Sequence, residues 1–565
     1  MKTKVKDFAY KRYTLEEGRV AFSKLESAVR SAGCAGDVIA AREKFLDEMD
    51  HYSTASALAN CRFTLDTRDE LYRGEMEYYD RTGPEFSNLL TRYAGLMLET
   101  PYRPALEKKL GTEIFKAYEV QIRAFSPLVL EECKRENALV TEYSKLMSEL
   151  AFDYEGERLP LSVLRGKMTS SDRNARKSAA EAIGKGLSTV SSELDRIYDE
   201  LVKIRTEIAR KMGYKSFTEL GYYRMDRTGY DREMVEAFRE NVIRSIVPAV
   251  AEIKKKTAER LGIDGIAFYD NDVYTKGEEP RPILDADGIF DAAEEMYRDM
   301  SPKTGAFMLK MREAGAFDVE AREGKWGGGY CTTFADYKQP FILANFNGTA
   351  ADIDVITHEF GHALASNFVF TEGDRELGIG GMETAECHSM AMEFFAYPYA
   401  EKFFGALAEK YKLKHLLSSL SFIPYGAMVD EFQHEVYDNP EYTPEERKAL
   451  WLRLEEKYRP YLSYEGIPYL SCGTRWQYQM HVYESPFYYI DYCLAGAVAF
   501  GFLVKSRENY GAAFNSYIEF VRKGGKEPFE LLVEGAGLKS PFKSGALADM
   551  TEEILRLAEQ LEEEA

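Results

Sequence analysis

Residues 358–362 read His358-Glu359-Phe360-Gly361-His362, an H-E-x-x-H. On a helix, side chains four apart project from one face, so both imidazoles reach one metal ion. Glu359 then lies beside that ion, where a carboxylate serves as general base toward an activated water. The chain holds 7 histidines in 565 residues, so the spacing carries weight against chance. The plain alternative is a pair of helix histidines that bind no metal.

A catalytic zinc takes three protein ligands and keeps one position open for water. The extended pattern ending in a third His needs Gly at position 365 and His at 368; the sequence has Ala365 and Phe368. The third ligand is therefore expected from a second helix, read at 383–393. Glu383, Glu386, Glu393 and His388 are the candidates there, and spacing leaves the choice open. Glu386 and Glu393 are seven apart, on one face with Ser389 between them. One of these carboxylates is expected to hydrogen-bond the far nitrogen of a ligand histidine. His388 points away from Glu386 and reads as an ordinary core or surface histidine. Gly378, Gly380 and Gly381 allow the chain to turn back between the two helices.

The elements that must carry these residues are mostly helical. From residue 14 to about 150 the pattern is one of successive amphipathic helices, as from Leu15 and from Val38, with turns expected at Pro84, Pro101 and Pro104. Residues 152–159 read as a hairpin turning at Glu155-Gly156. Ser170-Ser171-Asp172 offers a cap, and helix is expected from there to about Gly213. A long helix is expected from Arg232 to Leu261, kinked at Pro248. Between Asp264 and Thr349 the periodicity fades, and 325–334 and 339–346 read as two strands. Helix resumes at Ala351 and ends in a solvated amphipathic helix from Leu547. The expected fold is mainly α, with one small β-sheet next to the H-E-x-x-H helix.

A net charge of −21 disfavours nucleic acid or an anionic membrane as the main partner. The N-terminal stretch lacks the apolar core of a signal peptide, and no apolar run reaches a spanning length. Seven scattered cysteines without a C-x-x-C fit reduced thiols. The expected location is cytoplasmic; oligomeric state stays open.

HEFGH followed by Glu386-Cys387-His388-Ser389-Met390-Ala391-Met392-Glu393 resembles the thimet oligopeptidase family of zinc metallopeptidases, in particular its oligoendopeptidase F branch and the Pz-peptidase-like members. The strands around Gly329-Tyr330 and Pro340-Phe341-Ile342-Leu343, and the run His481…Phe487-Tyr488-Tyr489-Ile490-Asp491-Tyr492, have counterparts there. The likeness covers roughly residues 195 to 555. Many branch members have one residue fewer between that His and the Phe-Tyr pair, and Ala365 stands where a further His often follows.

The resemblance implies a zincin-type fold whose two helical halves enclose a deep substrate channel, with 1–190 as an N-terminal helical region and 191–565 as the catalytic region. It implies one Zn2+ per chain on His358, His362 and Glu386, with Glu393 outside the coordination sphere. Glu359 is then the general base, and His481, Tyr488 and Tyr492 bind substrate and steady the oxyanion, Tyr492 first and Tyr488 second. An extended peptide added to the strand edge would meet Gly328, Gly329 and Tyr330. The function implied is an endopeptidase acting on oligopeptides. A metallocarboxypeptidase or dipeptidyl carboxypeptidase would share the zinc chemistry, and a non-catalytic peptide-binding protein is the reading from another class.

Overall fold

The computed structural model describes residues 3–564 except Glu465 and Pro468. The first helices form as their patterns dictate. Thr14 caps Leu15–Arg30 through a reciprocal pair with Glu17, and the 31-residue helix Ala35–Leu65 follows. Pro84 does not end a helix: it lies inside Glu70–Glu99. The lost backbone bond and the clash are outweighed there by burial of Tyr79, Phe86 and Leu89 on either side. Pro101 and Pro104 do sit at the next turn and helix start.

The hairpin forms as expected, Phe152 pairing with Leu159, with Glu155 and Gly156 at positive φ. Asp172 caps the next helix, but the helical stretch breaks at Thr189 into Arg173–Ser188 and Ser191–Lys211. The long helix expected from Arg232 is interrupted by a π-helical turn at Val242–Ile246, and Pro248 lies in the first turn of Val247–Leu261, which follows it.

The sheet beside the site has three strands: β1 (Phe317–Glu320), β2 (Tyr330–Phe334) and β3 (Gln339–Phe346). The order is β1-β3-β2, parallel for β1 with β3 and antiparallel for β2 with β3, Tyr330 opposite Leu343. Sequence reading misses β1 because it is four residues long and carries Asp318 and Glu320. Lys325 reads as part of a strand but is not; it lies in the preceding loop and ties β1 to β3, its Nζ bonding Asp318 Oδ1 at 2.7 Å and Ala344 O at 2.6 Å.

Four helices complete the frame: α1 (Ala351–Glu372), α2 (Met382–Phe395), α3 (Ala408–Asp438) and α4 (Tyr489–Glu508). α1 packs on the sheet and against α2, and α4 packs on α2 and α3. α4 is apolar and long enough by composition to cross a membrane, yet Ile490, Leu494 and Phe500 are fully buried inside the protein. The last helix, Ala546–Glu564, is not merely solvated: Leu547, Ile554, Leu557 and Leu561 are buried, and it packs on α3. One apolar core runs through all of these helices; a second holds residues 13–118, and a third joins 152–187 to 267–269 and 467–478.

Candidate metal and catalytic site

α1 and α2 approach unusually closely at Gly361. A Cβ there would lie 2.3 Å from His388 O and 2.7 Å from Ser389 Cα. The glycine of HEFGH is thus what lets the second helix sit against the histidine face. Gly378 and Gly380, both at positive φ, reverse the chain between the helices.

This approach brings Glu386 Oε2 to 3.3 Å from His358 Nε2 and 3.7 Å from His362 Nε2, with all three donor atoms within 4.8 Å of one another. Zinc–nitrogen and zinc–oxygen bonds of about 2.0–2.2 Å place tetrahedral ligands roughly 3.3–3.5 Å apart. The donor set of two imidazoles and one carboxylate therefore fits a zinc ion. Of the other candidates, Glu393 Oε1 bonds His358 Nδ1 at 2.6 Å and Oε2 bonds His415 Nε2 at 2.7 Å. Tyr397 OH completes that relay on His415 Nδ1 at 2.8 Å. Glu383 turns to Thr384 and Tyr230, and His388 is buried edge-on against Phe520.

The two histidines are tuned in opposite directions: burial is outweighed at His358 by its hydrogen bonds to Glu386 and Glu393, which hold it well above the usual imidazole range, so a metal must displace its Nε2 proton. Burial, only partly opposed by Glu386, pushes His362 down to about 4, which leaves it neutral and able to coordinate. Burial opposes charge on Glu386, but the His358 hydrogen bond and the nearby imidazoles hold its carboxyl down at about 2. Ser389 Oγ also donates to Glu386 Oε2 at 3.0 Å, and Tyr488 OH donates to Oε1 at 2.8 Å. Glu359 is 9% exposed; burial, then Glu386 and Glu393, push it up to about 7, against the pull of His358 and the Cys331 backbone N–H.

The expected tyrosine wall is present. Tyr488 and Tyr492 have ring centres 4.9 Å apart, and His481 lies 5.8 and 6.0 Å from them. Burial and Glu386 raise both phenols, so both stay protonated donors. Burial pushes His481 down to about 4. Tyr425 OH donates to Gln479 Oε1 at 2.7 Å, which turns the Gln479 amide N–H toward His481 Nδ1 at 3.0 Å. The His481 Nε2 is then the protonated nitrogen, free to donate.

The strand residues are placed differently from one another. Tyr330 points to the N-terminal helices, its OH 2.7 Å from Thr64 Oγ1. A Cβ on Gly328 would meet the Trp326 indole at 2.0 Å, so that glycine serves its own neighbour, while one on Gly329 would lie 3.3 Å from Leu343 O. The residue of β2 that reaches Glu359 is Cys331. Sequence reading missed Cys331, His415, Tyr397 and Gln479. An alternating strand puts residue 331 on the face opposite Tyr330, a signal that was available; the other three come from distant segments and carried none. Arg224, Arg227 and Arg522, unassigned from sequence, pair with Glu136, Asp491 and Glu372.

Two family models match: the peptidase M3 N-terminal domain over residues 5–125 and peptidase family M3 over residues 307–552. Oligopeptidase PepF of Bacillus subtilis (strain 168) is 23% identical over 413 residues, spanning 70% of this chain and 58% of that protein's length. Among solved structures, Pz peptidase A with an inhibitor is 39% identical, with a TM-score of 0.94, covering 99% of this chain and all of that one. An oligoendopeptidase F from Bacillus anthracis strain Ames is 37% identical with a TM-score of 0.89, covering 100% and 99%.

Proposed function

This chain belongs to peptidase family M3, and from that premise we propose that it is a zinc-dependent endopeptidase that hydrolyses internal bonds of short oligopeptides. The observation that carries the reading is the convergence of His358, His362 and Glu386 donor atoms beside the buried Glu359. Relatives named for oligopeptides support the substrate class.

Zinc held by His358, His362 and Glu386 would lower the pKa of a water toward about 7 and polarise the substrate carbonyl. Glu359 takes the proton from that water and returns it to the leaving amine. A base must give its proton up again, and a carboxyl raised toward neutrality does so readily. Glu393 holds the His358 Nδ1–H and so presents Nε2 as the coordinating atom. Tyr488 is engaged by Glu386, which leaves Tyr492 as the first donor to the developing oxyanion and Tyr488 as the second. His481 donates from Nε2 to the substrate.

An extended peptide adds along the outer edge of β2, where no strand pairs among the described residues, starting at Gly328 and Gly329. Tyr330 anchors that edge to Thr64. Residues 1–190 form the N-terminal helical half and 191–565 the catalytic half, with the substrate channel between them. No disulfide links the cysteines among the described residues, which favours the cytoplasm. The charge of −21 favours neither nucleic acid nor an anionic membrane as a partner.

Peptides of graded length blocked at both ends test this. Internal cleavage that a chelator abolishes and zinc restores is expected. Cleavage only of peptides with a free C-terminus would make the chain a carboxypeptidase; binding without any cleavage would make it a peptide-binding protein.

A further inference from the structure

Behind the tyrosine wall lies a second cavity of about 330 Å³, between the Leu161–Lys167 helix, α3 and the segment leading to His481. Phe422 and Tyr489 belong to both places. They line the cavity, and their rings pack at 6.2 and 5.8 Å on Tyr492. Tyr425, also in the lining, is the residue that orients Gln479 on His481.

Three guanidiniums face this cavity. Arg459 is neutralised by Glu455, at 2.6 and 2.9 Å. Arg165 and Arg475 make no side-chain hydrogen bond or ion pair among the described residues. They lie over aromatic faces only: Arg475 at 4.1 Å from the Tyr478 centre and 5.1 Å from Tyr425, Arg165 at 5.7 Å from Tyr478. Arg475 Nη1 is sealed from solvent with no acceptor, and so is Ser421 Oγ. The one carboxylate in the lining, Asp272, accepts from Asn271 at 2.8 Å.

The contrast with the rest of the molecule is sharp. Its deeply buried arginines hold carboxylates, even where, as in Arg447, some guanidinium nitrogens also lack an acceptor: Arg205 on Glu136, Arg239 on Asp430, Arg447 on Asp199. Leaving a guanidinium nitrogen buried and unpaired costs free energy unless a ligand supplies the acceptor. Burial and the neighbouring Arg475 also lower the pKa of Arg165, whereas the surrounding tyrosines outweigh burial and raise that of Arg475.

We propose that this cavity binds a carboxylate of the peptide substrate, with Arg165 and Arg475 as specificity-determining residues that anchor either a free C-terminus or an acidic side chain beyond the catalytic wall. The proposal rests on the peptidase reading above. Two planar guanidiniums match a carboxylate's paired oxygens. A peptide held there is cut at a set distance from its carboxylate. Blocked peptides are still cut, with weaker binding.

The test uses one peptide sequence with a free C-terminus, the same peptide amidated, and amidated versions with a Glu placed in turn at each position. Turnover is measured on the zinc-loaded protein, and binding by fluorescence anisotropy after chelation. The free acid, or one of the Glu peptides, should have KM and Kd at least tenfold lower than the plain amide, with kcat within about twofold. Which of them does so identifies the source of the carboxylate. Arg165→Gln, at an exposed position that folding tolerates, should abolish most of that difference. Arg475→Lys, which keeps the buried charge, should cut it to about threefold. Both variants should cleave the plain amide like the wild type. The proposal is overturned if no carboxylate changes KM or Kd, or if the variants weaken acid and amide peptides alike. If nothing is cleaved but the acid still binds in an Arg165-dependent way, the peptidase reading fails and the cavity's assignment stands.

Discussion

Two buried polar clusters lie close together in this protein, and they are balanced in opposite ways. Around α1 and α2, the carboxylates Glu359, Glu386 and Glu393 meet only histidine, tyrosine, serine and backbone groups; no lysine or arginine bonds them among the described residues. Between α3, α4 and residues 227–239, Asp430 and Asp491 each have a cation of their own. Asp430 pairs with Arg239 at 2.6 Å and with His434 at 3.3 Å, and Asp491 pairs with Arg227 at 2.9 Å. Histidine occurs in both, so histidine content does not tell them apart. The surplus of negative charge and the two Nε2 atoms aimed at one carboxylate oxygen do. The Asp–Arg pairs balance their charge within the protein, although Asp430 Oδ1 and Asp491 Oδ2 lack hydrogen bonds; the carboxylates around the histidines are short of a cation.

The contrast makes its largest prediction at Glu386. Glu386→Ala should empty the site and lower kcat/KM by at least about 10³-fold, read by metal analysis and peptide turnover, because one of three ligands is gone. Asp430→Asn should instead leave zinc content near one per chain and cost about 3 kcal/mol of stability, since the buried Arg239 loses its close carboxylate and keeps only Glu236 at 3.9 Å. Denaturant midpoints check that. Tyr492→Phe should lower kcat about 10²-fold with little change in KM, as expected for a donor used only in the transition state. Glu393→Gln should weaken zinc affinity about 10–100-fold in chelator competition while the fold is kept.

The pH profile gives a smaller effect of definite sign. Glu359 must be ionised to accept a proton, and its carboxyl stands at about 7 through burial and the neighbouring carboxylates. Activity is therefore lost as pH falls through that value. A zinc ion beside it favours the ionised form, so the acid limb of kcat/KM should lie between 4.5 and about 7. A limb above 7 would contradict the assignment.

Much of the site was legible because it is local. The two histidines and Glu359 share five residues, and the Glu386–Glu393 repeat shares one helix face. What spacing could not decide was which of four side chains completes the ligand set, since that depends on how closely two helices approach. Gly361 permits that approach, and its role appears only once His388 O is seen 2.3 Å from where a Cβ would stand. The Glu393–His415–Tyr397 relay was illegible for the same reason: its members come from α2, α3 and the turn between them. In the fold, helices were read well, and Pro84 was read too strictly. It lies within a 30-residue helix, where burial outweighs one missing bond. The short strand β1 was missed because charge at Asp318 and Glu320 hid it.

The central claim is that His358, His362 and Glu386 hold the metal while Glu359 moves the proton. Zinc content and turnover of a doubly blocked peptide, measured side by side on Glu359→Gln, test it most directly. About one zinc per chain and turnover lowered at least about 10²-fold are expected. A zinc-loaded Glu359→Gln protein that cleaves the peptide at near wild-type rate would contradict it.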